Sequence, residues 1–137
     1  MPDPAAPAPV ITVAAIAFVR ADGRVLTVRK RGTRRYMLPG GKPEAGERAI
    51  ETAVREVREE LGIHVRPDEL EPLGEFVSRA ANEEGHALRA TVFLSRAEVS
   101  PVVQAEIDDL RWADPAAADP MDAPLNHEHV FPLLARG

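Results

Sequence analysis

One stretch near the middle of the chain, residues 48–61, constrains the fold more than any other, because it carries two different faces at helical spacing. At about 100° per residue, Ile50, Ala53, Val54, Val57 and Leu61 fall within one arc of roughly 100°. That face is core. Gly62 follows where a helix of this kind stops. On the same wheel Glu56, Glu59 and Glu60 share a second arc, since residues three and four apart are neighbours on a helix surface.

The segments on either side read as strands. Residues 10–20 are rich in Val, Ile and Ala, break at Ala21-Asp22-Gly23 and resume at Val25-Leu26-Thr27-Val28, which predicts a hairpin around a tight turn. A basic stretch over 29–35 leads through Tyr36-Met37-Leu38-Pro39 to Gly40-Gly41, a loop opening onto a short strand. Strands are expected over 73–80 and 86–94, around a polar turn at Glu83-Glu84-Gly85, and over 107–112. A closing helix is expected over 123–135, with Pro132 weakening its last turn. Strands, helix, strands, helix is the order of an α/β layer fold. Residues 1–9 carry four prolines among alanines and are expected to be a flexible arm, leaving 10–137 as a single domain.

A length of 137 residues suits one core, large enough to be stable without staples. There is no cysteine, hence no disulfide, thiolate zinc site or cysteine nucleophile. A net charge of -5 argues against a dedicated nucleic-acid or anionic-membrane binder. The longest apolar run, 10–19, is broken by Thr12 and follows a segment without Lys or Arg, so neither a membrane span nor a signal peptide is expected. A soluble, cytoplasmic monomer or homodimer is the expectation.

The acidic arc carries the chemistry. Like charges about 5.5 Å apart cost on the order of 3 kcal/mol per pair at an effective dielectric of about 20, less where water screens them. The local cations, Arg55 and Arg58, do not neutralise the stripe, so something positive should sit among the carboxylates. An all-oxygen cluster suits a hard cation, Mg²⁺ or Mn²⁺, better than Zn²⁺. Taken alone, the stripe is also what a solvated surface helix presents.

The residues upstream decide between these. From Gly41 the chain runs Gly, five residues, Glu47, seven residues, then Arg55-Glu56-Val57-Arg58-Glu59-Glu60-Leu61-Gly62-Ile63. This resembles the Nudix box at every defining position. The resemblance implies an α/β/α sandwich with a mixed sheet between helices, and hydrolysis of a nucleoside diphosphate linked to another group, assisted by Mg²⁺ or Mn²⁺. It makes Glu56, Glu59 and Glu60 metal ligands, with the Gly40 carbonyl a further one. Arg55 resembles the family arginine that pairs with Glu47 and orients the acidic face. A nucleotide-type small molecule is the expected substrate.

The implied mechanism is attack of a polarised water on one phosphorus of a pyrophosphate. Glu59 is the first choice of general base, with Glu83, Glu84, Glu98 and Glu106 as alternatives. Among the basic residues of 29–35, Arg34 and Arg35 stand beside the glycine pair and are expected to grip substrate phosphates. His127 and His129, two residues apart, do not share a helix face, and Trp112 reads as core packing. No serine-hydrolase elbow or P-loop is present.

For substrate, Asn126 is placed like the asparagine with which the MutT-like branch reads a purine base. It could equally cap the helix that follows. Many ADP-ribose pyrophosphatases carry a proline downstream of the box where this chain has Arg79. The order is therefore a purine nucleoside triphosphate first, then ADP-ribose or another nucleotide sugar. A nucleotide-sensing domain without catalysis is the alternative from a different class, and the intact box argues against it.

Overall fold

A computed structural model describes residues 8–117 and 119–135. The elements are β1 (Val10–Phe18), β2 (Val25–Lys30), β3 (Gly40–Gly41), α1 (Ala49–Leu61), β4 (Glu71–Arg79), β5 (Ala87–Ser95), β6 (Ile107–Ala113), a wide π-type turn over Leu125–Val130, and α2 (Phe131–Ala135). Four strands form one sheet in the order β3-β1-β5-β4, and β2 and β6 pair separately. The larger sheet is mixed: β1 runs parallel to β5, while β3 and β4 are antiparallel to their neighbours.

The apolar run of β1 is explained by its position. Ala14, Ile16 and Phe18 pack with Ala53, Val57 and Leu61 of α1, whereas Ala15, Ala17 and Val19 pack with Leu125, Val130 and Phe131 of the closing segment. A strand covered on both faces needs no polar alternation. The alternating side chains of one strand thus hold a helix on each face of the sheet, giving the α/β/α sandwich.

The expected hairpin is corrected. Val19 and Val25 form a single bridge around the 20–24 turn, but β1 then pairs with β5 and β3 while β2 pairs with β6 from Val25↔Ala113 onward. Ile16 N–H donates to Pro39 O at 3.0 Å, so the edge of β1 that a hairpin would use is taken by the chain around the glycine pair. The closing helix also differs in kind. Phe131 N–H reaches back to Asn126 O, five residues away, before an α-helical turn that contains Pro132. Pro132 has no N–H to continue an α ladder, which leaves the preceding carbonyls to wider pairing. Among the described residues, no helix is long and apolar enough to cross a membrane.

Candidate active site

Helix α1 begins with one half of a capping box: Arg48 N–H donates to Glu51 Oε1 at 2.9 Å. It stops at Gly62, whose φ of 66° is left-handed and whose N–H returns to Arg58 O. Val102 and Gln104 N–H groups then cap the carbonyls of Leu61 and Glu60 at 2.9 Å each. Ala53, Val57 and Leu61 are fully buried, and Ile50 and Val54 pack partly buried against the same cluster. With that face fixed, the acidic arc must point at the glycine pair.

Glu56, Glu59 and Glu60 line one cavity of about 650 Å³ together with Gly40 and Gly41. Their surroundings differ sharply. Glu60 is 6% exposed; its Oε1 accepts from Gly40 N–H at 3.0 Å, and its Oε2 lies 3.6 Å from Lys30 Nζ. Burial pushes the Glu60 carboxyl up to about 7, against the pull of Lys30 and with some help from the Glu56 charge. Glu56 is mostly covered and Glu59 is half exposed; both meet Arg55 Nη1, at 2.9 and 3.3 Å.

Arg55 organises the arc. Its Nε and Nη2 clamp the two oxygens of Glu47 at 2.8 and 3.0 Å, and Nη2 also donates to Lys42 O. Glu47 accepts from Thr52 Oγ1 and Glu44 N–H as well, and this set, led by Arg55, holds its carboxyl down at about 2. The bidentate clamp ties the loop before the helix to the helix itself. Among the described residues, and including Glu44, five carboxylates lie within ion-pair reach of two cations, Arg55 and Lys30. Lys30 comes from β2, so a helix wheel could not reveal it.

Gly40 and Gly41 are required by close approach. A Cβ on Gly40 would fall 2.2 Å from Ala14 O, and one on Gly41 would fall 2.5 Å from Glu56 Cδ. Backbone therefore presses directly against a ligand-type carboxylate.

The other expected site residues separate into two groups. Asn126 is fully buried and lines the cavity; its Nδ2 donates to Tyr36 O at 3.2 Å and its Oδ1 has no partner among the described residues. It does not cap a helix. Arg34 and Arg35 do not reach the cavity, where Lys30, Thr33 and Lys42 stand instead. Arg34 is exposed, and Arg35 donates to Pro120 O at 3.2 Å on the other side of the loop. Of the alternative bases, Glu83 and Glu106 line the cavity, whereas Glu84 and Glu98 do not. Trp112 packs half-buried beside the core, with the Arg20 guanidinium 4.6 Å from the centre of its ring.

A family model, the NUDIX domain, matches residues 9–134. The chain belongs to the Nudix hydrolase family. Such enzymes cleave pyrophosphate bonds in nucleoside diphosphate derivatives. A Nudix hydrolase of Bacillus subtilis (strain 168), YvcI, is 23% identical over 120 residues, covering 87% of this chain and 76% of that protein. Among solved structures, the MutT NUDIX hydrolase of Burkholderia pseudomallei is 25% identical with a TM-score of 0.69, covering 93% of this chain and 96% of the other. The MutT protein of Methanosarcina mazei Go1 shares the fold, with a TM-score of 0.73, 20% identity and coverage of 96% and 97%.

Nudix hydrolases generally use divalent metal ions. Among the described residues of this Nudix hydrolase, no three acidic or histidine side chains converge on one point in ligand geometry. Each box carboxylate is instead turned to a protein donor, Gly40 N–H and Lys30 for Glu60 and Arg55 for the other two. The donor set still fits a hard cation: it is all oxygen, in excess over its cations, and includes a buried carboxyl whose charged form needs a positive neighbour.

Proposed function

We propose that this Nudix hydrolase cleaves a purine nucleoside triphosphate between its α and β phosphates, releasing the monophosphate and pyrophosphate. The observation that carries the reading is Asn126. A fully buried side-chain oxygen without a hydrogen-bond partner among the described residues is costly, and the residue that carries it, Asn126, is one of those lining the cavity that also holds the acidic arc. Its amide assignment is set by the Tyr36 carbonyl, which requires Nδ2 on that side and leaves Oδ1 to accept from a ligand. The same wall offers the apolar side chains of Ile11, Val13, Met37 and Leu88 to the face of a base.

Glu56, Glu59 and Glu60, with the Gly40 carbonyl, would hold Mg²⁺ or Mn²⁺. A bound divalent ion supplies positive charge to the phosphate oxygens and activates a water. Arg55 and Glu47 tie the loop before the helix to the acidic arc and keep its carboxylates grouped beside the glycine pair. Lys30 and Lys42 contact the phosphate chain from the cavity wall. As water adds to phosphorus and the bridging P–O bond breaks, the half-exposed carboxylate of Glu59 receives the water proton, and the pair of electrons leaves with pyrophosphate.

The test is turnover against purine and pyrimidine nucleoside triphosphates, ADP-ribose and other nucleotide sugars with Mg²⁺, with pyrophosphate and monophosphate measured separately. A purine triphosphate should give the highest kcat/KM and equal amounts of the two products. Preference for ADP-ribose, or release of orthophosphate, overturns the reading.

A further inference from the structure

Behind Asn126 lies a charged cluster that the proposed chemistry leaves unused. Arg111 of β6 donates from Nη1 to Asp119 Oδ2 at 2.7 Å and from Nη2 to Asp122. Its guanidinium also lies over the ring of Tyr36, 4.5 Å from the centroid, and the Tyr36 hydroxyl donates to Asp109. Asp122 is 1% exposed, and a carboxylate buried so deeply is tolerated only beside a cation. Arg111 is that cation.

These contacts converge on one main-chain group. Tyr36 N–H donates to Met121 O at 2.8 Å, and Ala123 N–H donates to Tyr36 O at 2.9 Å. The Asn126 amide donates to that same Tyr36 carbonyl. The position of the carbonyl is therefore set by the ring of Tyr36 on one side and by the segment that holds Asp119 and Asp122 on the other.

We propose that Arg111, Tyr36 and Asp122 form a positioning clamp that sets base selectivity, by holding the Asn126 amide with Oδ1 turned to a hydrogen-bond donor on a purine edge. The inference rests on the proposed reading of Asn126. None of the three residues lines the cavity, so they act through Asn126 and not on the substrate. Loosening the clamp lets the amide rotate, and the purine loses its partner while the phosphate contacts remain.

The experiment compares Asp122→Asn, Tyr36→Phe and Asn126→Ala with the parent enzyme. For each, kcat and KM are measured with a purine and a pyrimidine nucleoside triphosphate, alongside a melting curve. Asp122→Asn should lower the purine-to-pyrimidine ratio of kcat/KM roughly 5-fold or more, mainly through KM for the purine. Tyr36→Phe keeps the ring and the carbonyl and should lower the ratio less; it stands in for Asp122→Asn if that variant fails to fold. A lowered melting temperature with an unchanged ratio, in a protein where Asn126→Ala does collapse the ratio, overturns the clamp and leaves the base reading intact. If Asn126→Ala itself leaves the ratio unchanged, the base reading fails and the clamp fails with it.

Discussion

The main-chain N–H of Gly40 donates to Oε1 of Glu60 at 3.0 Å, joining the glycine pair to the box helix through a buried carboxyl. The second oxygen of Glu60 faces Lys30 at 3.6 Å. Three elements distant in sequence, β2, β3 and α1, therefore meet on one side chain. Neither donor fully offsets burial, which leaves this carboxyl raised to about 7.

That relationship gives a pH dependence with a definite sign. The Glu60 carboxyl stands at about 7 when folded against an ordinary value of 4.5, so the folded protein holds the proton more tightly than the unfolded chain. Stability is greatest below the ordinary value and is lost as pH rises through about 7, with a ceiling of about 3 kcal/mol. In EDTA, the melting temperature should fall between pH 5 and pH 7.5 by more than in Glu60→Gln, which cannot ionise. Equal slopes in the two proteins would remove Glu60 as the source. Glu60→Gln should also lower kcat by orders of magnitude in excess Mg²⁺ while keeping the fold.

The two glycines should respond differently to alanine. At Gly41 the new methyl meets the movable end of Glu56, 2.5 Å away, so the carboxylate shifts and the fold survives. Activity in Gly41→Ala should drop roughly 10- to 100-fold with little change in melting temperature. At Gly40 the methyl meets the backbone at Ala14 O, 2.2 Å away, and folding itself should suffer. Circular dichroism and turnover, measured together, distinguish the outcomes; equal effects at both positions would contradict them.

Replacing Arg55 by Lys keeps the charge and loses the fork. A lysine cannot clamp both oxygens of Glu47 while touching Glu56 and Glu59. Metal affinity, read as the Mg²⁺ concentration for half-maximal activity, should weaken roughly 10- to 100-fold. Unchanged metal dependence would make the clamp a plain helix ion pair.

What was legible in the sequence followed how local each signal is. The two faces of α1, its glycine stop and the Arg55–Glu47 pairing implied by the family resemblance all lie within residues 47–62, and the structure shows them in contact. The partner of β1 was not legible, because Val10 pairs with Ala87 and nothing near residue 20 announces that. A turn at 20–24 does form, yet a turn specifies a reversal of the chain and not the ladder that follows. Lys30 illustrates the same limit at the site: it stands in the basic run that pointed to Arg34 and Arg35, and β2 pairing alone selects which cation faces the cavity.

The basic run can be tested by salt-dependent kinetics. Arg34→Ala with Arg35→Ala should leave KM for the triphosphate near the parent value in low salt, since neither side chain lines the cavity. Lys42→Ala should raise KM, and the effect should shrink as salt screens the phosphate charge. The opposite pattern would return the phosphate grip to the arginines.

Asn126→Ala tests the choice of base. In the parent, Nδ2 is held by the Tyr36 carbonyl, so the amide presents Oδ1 and its remaining N–H as an acceptor and donor pair. A purine edge can match such a pair, and a bare sugar phosphate cannot. Losing these bonds should cost about 1 to 3 kcal/mol and reduce the purine-to-pyrimidine ratio of kcat/KM roughly 5- to 150-fold. The Tyr36 carbonyl keeps its bond from Ala123 N–H in the variant, so the fold should lose only about 1 kcal/mol, the scale of one hydrogen bond. A residue that merely braced the closing segment would behave in reverse: the melting temperature would fall and the ratio would hold. Measuring both in one preparation separates substrate recognition from support, because only the loss of bonds to the base moves the ratio.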